Sequence, residues 1–274
     1  MTDPSYTKAD VELFVDLDRV TAALGTTPCL IGAGAIRLGA DFNWGVRLDR
    51  VTEDWDFVVR METREQFAEL VATLVAENGG FHRSKVKHRF HHRGGGTLDL
   101  IPYGPLEDPS GEIQWSDGRR MNTSGLSVLD EHHEERQIEN VALRSATLPA
   151  LVGLKLLAYY DRRPGITRDI GDVQAILRDM EDELDDERVI AECLDRFSSG
   201  DVTYGEAGAY LLGRNVGRVF PDRDREVMVA LLENVGQPED PTLGHALGYS
   251  YSELDERKSE LSRLPAFRLG LMDG

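Results

Sequence analysis

Three aspartates and one short glycine-rich run have the residue types and spacing to do chemistry in this 274-residue chain. Asp54 and Asp56 stand one residue apart in VTEDWDFVVR, at the mouth of an apolar run. If that run is a strand, both carboxylates project from one face, with Trp55 between them facing away into the core. Two like charges held in that way repel, and one pKa rises. A divalent cation relieves the conflict, and Mg²⁺ takes carboxylate and phosphate oxygens as ligands. Asp99, in TLDLIPYG on a neighbouring expected strand, can complete a set of three. The competing reading is an exposed edge strand with ordinary charges. Spacing alone does not decide, because Asp16-Leu-Asp18 and Asp222-Arg-Asp224 share it in helix-like segments.

IGAGA, Ile31 to Ala35, follows an apolar run and precedes an expected helix. Backbone N–H groups at such a turn, with the N-terminus of the helix behind them, can hold a triphosphate. A tight turn that needs glycine at positive φ would read the same. No Gly-Lys-Ser/Thr follows, so this is not a Walker motif. Lys155 interrupts the apolar LVGLKLLAYY. A lysine snorkelling from a helix edge is the plain reading. The chain, however, uses 26 Arg against 5 Lys, and a compact ammonium suits phosphates as a point charge. Asp169 and Asp172 flank an expected helix start after Pro164-Gly165, where acids also serve the helix dipole.

The elements that must position these groups follow from periodicity. Val11, Phe14, Leu17, Val20 and Leu24 mark a helix stopped by Gly25. DWDFVVRM reads as a strand. TREQFAELVATLVAENGG reads as an amphipathic helix with Thr63 as N-cap and Gly79-Gly80 as its end. SKVKHRFHHRGGGTLDLIPYG reads as a β-hairpin around Gly94 to Gly96. Residues 106 to 146 read as irregular and polar. From LPALVGLKLLAYYDRR onward the chain is helical. Strands gather in the first half and helices in the second. The expected fold is α+β, a mixed sheet with flanking helices over 1–146 and a mostly helical domain over 147–274.

Composition sets the class. Hydrophobic residues make up 41% and charged residues 29%, as in a soluble globular protein. Two cysteines argue against a disulfide scaffold and for a reducing, cytoplasmic setting. No leader or membrane span is expected. The net charge of −18 repels nucleic acid in general. HRSKVKHRFHHR is the local exception: Arg83, Lys85, Lys87, Arg89 and Arg93 can carry an RNA backbone or a triphosphate, or simply guard an edge strand. His88, His91, His92, His132 and His133 fit no standard zinc spacing. Trp44 is expected in the core or in a pocket wall.

LIGAGAIRLGA, RVTEDWDFVV and TLDLIPYG together resemble the DNA polymerase β-like nucleotidyltransferase superfamily. LPALVGLKLLAYYDRRPGITRDIGDVQAIL narrows the resemblance to AbiEii-type nucleotidyltransferase toxins, over about residues 25 to 178. The resemblance implies a nucleotidyltransferase-like mixed sheet. It implies that Gly32, Ala33 and Gly34 contact nucleotide phosphates, and that Asp54, Asp56 and Asp99 hold Mg²⁺, two ions in all. Asp99 would help activate the acceptor hydroxyl. Lys155 matches the family lysine and Asp169 the acid of its Arg/Lys-Asp step. Ala33 departs from the usual Gly or Ser, so the backbone rather than a hydroxyl must meet the phosphates. The implied reaction moves an NMP from an NTP to a hydroxyl, with the tRNA 3′ end as acceptor and a cognate antitoxin as partner. An antibiotic-modifying type of small-molecule transferase and a non-catalytic nucleotide-binding module are the rival readings.

Overall fold

The computed structural model describes residues 6–40, 54–162, 168–180, 186–235 and 263–274. Trp44 and Pro164-Gly165, singled out above, lie outside these residues. The chain forms two compact units that divide between Thr147 and Leu148.

The first unit is built on a seven-stranded mixed sheet. Its strands are β1 (Cys29–Ile31), β2 (Asp54–Arg60), β3 (Phe81–Arg83), β4 (Arg89–His92), β5 (Thr97–Tyr103), β8 (His133–Ile138) and β9 (Val141–Ala146), in the order β3-β4-β5-β2-β1-β9-β8. β6 (Glu112–Gln114) and β7 (Arg120–Asn122) pair with each other as a separate hairpin. β2 runs parallel to β5 and antiparallel to β1, and β1 runs parallel to β9. The expected hairpin around Gly94 to Gly96 is β4–β5.

Helix α1 (Lys8–Ala23) buries Val11, Phe14, Leu17 and Val20, the stripe that the periodicity marked. Phe14 meets Trp55 edge-on at 4.8 Å and Phe57 at 6.0 Å, contacts worth roughly 0.5–1.5 kcal/mol each beyond area burial. Helix α3 (Arg64–Val75) starts where Thr63 accepts the Gln66 N–H at 3.2 Å.

Four expectations are corrected. Residues 106 to 146 are not irregular: β8 and β9 extend the main sheet and β9 pairs with β1. β8 is the edge strand and buries Arg136 where an apolar residue would mark the alternation, and the exposed position of β9 is Ala142. α3 ends at Val75, short of Gly79-Gly80. Gly79 instead lets the chain double back against the helix end, where a Cβ would stand 2.0 Å from the Leu74 carbonyl oxygen. Lys85 and Lys87 lie in the turn between β3 and β4 rather than in a strand. IGAGA is not a loop before a helix, since α2 (Gly32–Ala40) begins directly where β1 stops.

The second unit is helical: α4 (Leu148–Arg162), α5 (Arg168–Asp179), α6 (Asp186–Ser199), α7 (Ala207–Val219), α8 (Asp222–Val235) and α9 (Arg263–Asp273). α7 and α9 pack backbone to backbone through glycines. A Cβ on Gly213 would stand 2.0 Å from the Phe267 carbonyl oxygen, and one on Gly270 equally close to that of Tyr210. Arg196 on α6 clamps Asp273 on α9 through three hydrogen bonds of 2.6 to 3.0 Å.

Candidate active site

The strand pairings bring the three acids together. Asp56 on β2 lies level with Asp99 on β5, and Asp54 lies level with Thr97. Paired residues on adjacent strands share a face, and i, i+2 residues of one strand do too. Asp54, Asp56 and Asp99 therefore share one face of the sheet. Trp55 takes the opposite face, where it is 1% exposed.

That opposite face is what fixes the acidic one. Trp55 Nε1–H donates to Asp10 at 2.6 Å. Asp10 closes the capping box of α1 with Thr7, and Arg37 stands 3.6 Å from it with its guanidinium over the Trp55 ring at 5.1 Å. Nothing in the acidic motif points to Asp10. Its only sequence signal is its place three residues after Thr7, as in a capping box.

A cation already sits among the acids. Arg89 on β4 is paired with Asp99 across the ladder. It donates to both Asp99 oxygens, at 2.8 and 2.7 Å, and to Asp54 at 2.6 Å. The hydrogen bond to Asp99 raises the guanidinium pKa further above its usual value; burial opposes this, and the charges of Asp99, Asp54 and Asp56 support it. Composition groups Arg89 with a basic strip that can carry an RNA backbone or a triphosphate, or guard an edge strand. The hairpin register, countable from the glycine turn, places it opposite Asp99 instead. Of that strip, Arg93 donates to the carbonyls of Ala76 and Glu77, while Arg83, Lys85 and Lys87 are exposed.

The small residues of α2 pack tightly against these groups. Gly32 has φ +71°, and a Cβ there would fall 2.2 Å from Asp56 Oδ2. A Cβ on Gly34 would meet the Trp55 ring at 2.7 Å. Ala33 is buried. The first N–H groups of a helix have no intrahelical acceptor, so the start of α2 puts donors and positive dipole beside Asp56.

In the helical unit, Lys155 on α4 is 5% exposed, so it does not snorkel. Its ammonium is 2.6 Å from Asp172 and 4.0 Å from Asp169, both on α5. Asp169 pairs with Arg162 at 2.8 Å. Asp172 is thus the closer partner of Lys155, although the motif pointed to Asp169.

The donor chemistry of the first unit suits Mg²⁺, because the acids offer hard oxygens and already share a cation. Among the described residues, no three or more His, Cys, Asp or Glu side chains converge as a preformed metal site. Among these residues, too, no helix is long and apolar enough to cross a membrane.

Comparison with solved structures finds nucleotidyltransferase-fold proteins at low identity. The antibiotic-resistance factor ANT(2″)-Ia is 14% identical, with 72% of this chain and 97% of that chain covered and a TM-score of 0.37. Its complex with adenylyl-2″-tobramycin is 15% identical, with 71% and 100% covered and a TM-score of 0.39. An antigenic nucleotidyltransferase-like protein from Paracoccidioides brasiliensis is 15% identical, with 70% and 91% covered and a TM-score of 0.38. No curated protein matches the chain. The profile described as "Nucleotidyl transferase AbiEii toxin, Type IV TA system" matches residues 29–249. The chain therefore belongs to the AbiEii toxin family and is a nucleotidyltransferase.

Proposed function

We propose that this nucleotidyltransferase moves an NMP from an NTP to a hydroxyl of RNA, with the tRNA 3′ end as acceptor, as the toxin of a toxin–antitoxin pair. The observation that carries the reading is the register of Asp56 with Asp99, with Asp54 on the same face. Mg²⁺ would be held by Asp54, Asp56 and Asp99, and would lower the pKa of the attacking hydroxyl and neutralise the leaving pyrophosphate.

The chain's own groups supply the rest. The N–H groups of Gly32, Ala33 and Gly34 orient phosphate oxygens through the backbone. Asp99, buried and level with Asp56, accepts the proton of the acceptor hydroxyl. Arg89 holds the carboxylates in place and neutralises them until phosphate and cation arrive. Lys155 is the proposed cation for the nucleotide phosphates, a role taken from its match to the family lysine. Alignment of the hydroxyl with the α-phosphorus lowers the barrier further by fixing near-attack geometry.

The test is incubation with each α-phosphate-labelled NTP, Mg²⁺ and total tRNA, followed by gel separation. Label on tRNA supports the reading. Label on a small molecule instead would favour an antibiotic-modifying type of transferase, for which the net charge of −18 is the supporting observation.

A further inference from the structure

α3, the end of β5 and the β6–β7 hairpin frame a groove of about 270 Å³. Its aromatic wall is Phe67 and Trp115, with Leu106 beside them, and its cations are Arg64, Arg83 and Lys87. No acidic residue lines it among the described residues, in a protein whose acids outnumber its Lys and Arg by 49 to 31. The rings are ordered: Phe67 and Trp115 lie 6.1 Å apart at 64°, and His88 packs on Trp115 at 5.5 Å. Trp115 is only half-buried, which leaves ring surface for a ligand. Its indole N–H is itself buried and has no hydrogen-bond partner among the described residues. The nearby acid Asp117 is paired with Arg119 at 3.0 Å. In the chain, His88, which packs on Trp115, directly precedes Arg89, which holds Asp54 and Asp99.

An aromatic wall rimmed by cations and free of acids matches a nucleotide of a single strand. The base takes the π-face, and the phosphates on either side take the charges. Arg64 is held by the Gln114 carbonyl at 2.7 Å, but a purely apolar ligand would leave Arg83 and Lys87 without a role, and an acidic protein repels most protein surfaces of its own sign. We propose that this groove is a base-stacking subsite for a single-stranded RNA acceptor, with Trp115 as the platform and Arg64, Arg83 and Lys87 as phosphate contacts. The proposal rests on the RNA reading above and adds where the strand lies.

The experiment is fluorescence anisotropy of a labelled single-stranded oligoribonucleotide with the full chain, without NTP or metal, across a salt series. Trp115→Ala should weaken binding about tenfold with the salt slope unchanged, as loss of a stacking partner does. Trp115→Phe should keep most of the affinity, which separates stacking from misfolding. The Arg83→Glu, Lys87→Glu double variant should bind more weakly and with a shallower salt slope, because counterion release is lost. Unlabelled polyphosphate should compete poorly with wild type for the oligonucleotide. Equal binding by wild type and Trp115→Ala, or polyphosphate competing as well as RNA, overturns the subsite. If tRNA is labelled but Trp115→Ala binds RNA normally, only the subsite falls. If RNA binds through Trp115 but label goes to a small molecule, the transfer reading falls and the groove stands.

Discussion

Asp56 of β2 lies level with Asp99 of β5 in a parallel ladder, 43 positions apart in the chain and side by side in the sheet. The backbone of two strands, rather than any local motif, puts them together. Parallel pairing of β2 with β5 then leaves β4 to carry Arg89 directly opposite Asp99. The acids and their cation come from three consecutive strands of the sheet.

Arg89 should behave as a stand-in for the metal. Arg89→Ala removes a cation from two carboxylates, one of them almost buried, and should cost about 1–3 kcal/mol in metal-free buffer. That lies below the roughly 3–5 kcal/mol of a fully buried pair because the guanidinium is partly exposed. Added Mg²⁺ should then raise the melting temperature of the variant more than that of wild type. Equal responses of the two proteins would show that Arg89 and the metal do not share the acids.

Gly32→Ala should reduce transfer on the order of a hundredfold, because it displaces Asp56, and misplacements of about 1 Å carry penalties of that size. The strained φ adds roughly 1–2 kcal/mol of instability. Steady-state transfer and urea unfolding measure the two effects separately. Wild-type turnover by this variant would mean that Asp56 need not stay where Gly32 allows it.

The sheet's inner strands and α1 were legible because burial wrote itself into period-2 and period-3.6 patterns. β8 and β9 were not: in HEERQI a buried position is filled by Arg136 and only Ile138 is apolar, and VALRSA exposes Ala142 while burying Ser145. Asp54, Asp56 and Asp99 were legible as candidates because three acids beside apolar runs need a reason. The pairing of Arg89 with the acids is not legible for the opposite reason: in a string of cations, composition cannot say which one turns inward. Only the hairpin register does. Asp10 and Asp172 act through partners 45 and 17 residues away, a relation that local pattern does not encode.

Lys155 needs a test that separates folding from phosphate binding. Lys155→Met strips the ammonium from a buried pair and should cost roughly 3–5 kcal/mol. Adding Asp172→Leu should restore much of the stability, since an apolar replacement of both partners is tolerated. NTP affinity should stay low in the double variant. If the double variant binds NTP and turns over like wild type, Lys155 serves only to join α4 to α5.

His88 gives the fold a mild acid sensitivity. Burial lowers its pKa below the usual 6.5; Asp99 and Asp117 oppose that, and Arg89 and Arg119 reinforce it. Between the lowered value and 6.5 the unfolded chain binds more protons than the folded one, so stability falls as pH drops through that window. His88→Phe keeps a ring against Trp115 and removes the titration. Urea unfolding from about pH 7 to about pH 5 should show a smaller loss in the variant than in wild type. Parallel losses would assign the sensitivity to other groups.

The most direct test of the carboxylate site is single-turnover transfer from α-phosphate-labelled NTP to tRNA by Asp56→Asn and Asp99→Asn, beside wild type, at saturating Mg²⁺. Each change keeps the side chain's shape and removes one negative charge. The site described here predicts that wild type labels the tRNA, that label is lost on chelation of the metal, and that both variants fall by at least about a thousandfold while melting cooperatively. Labelling by either variant at the wild-type rate would contradict it.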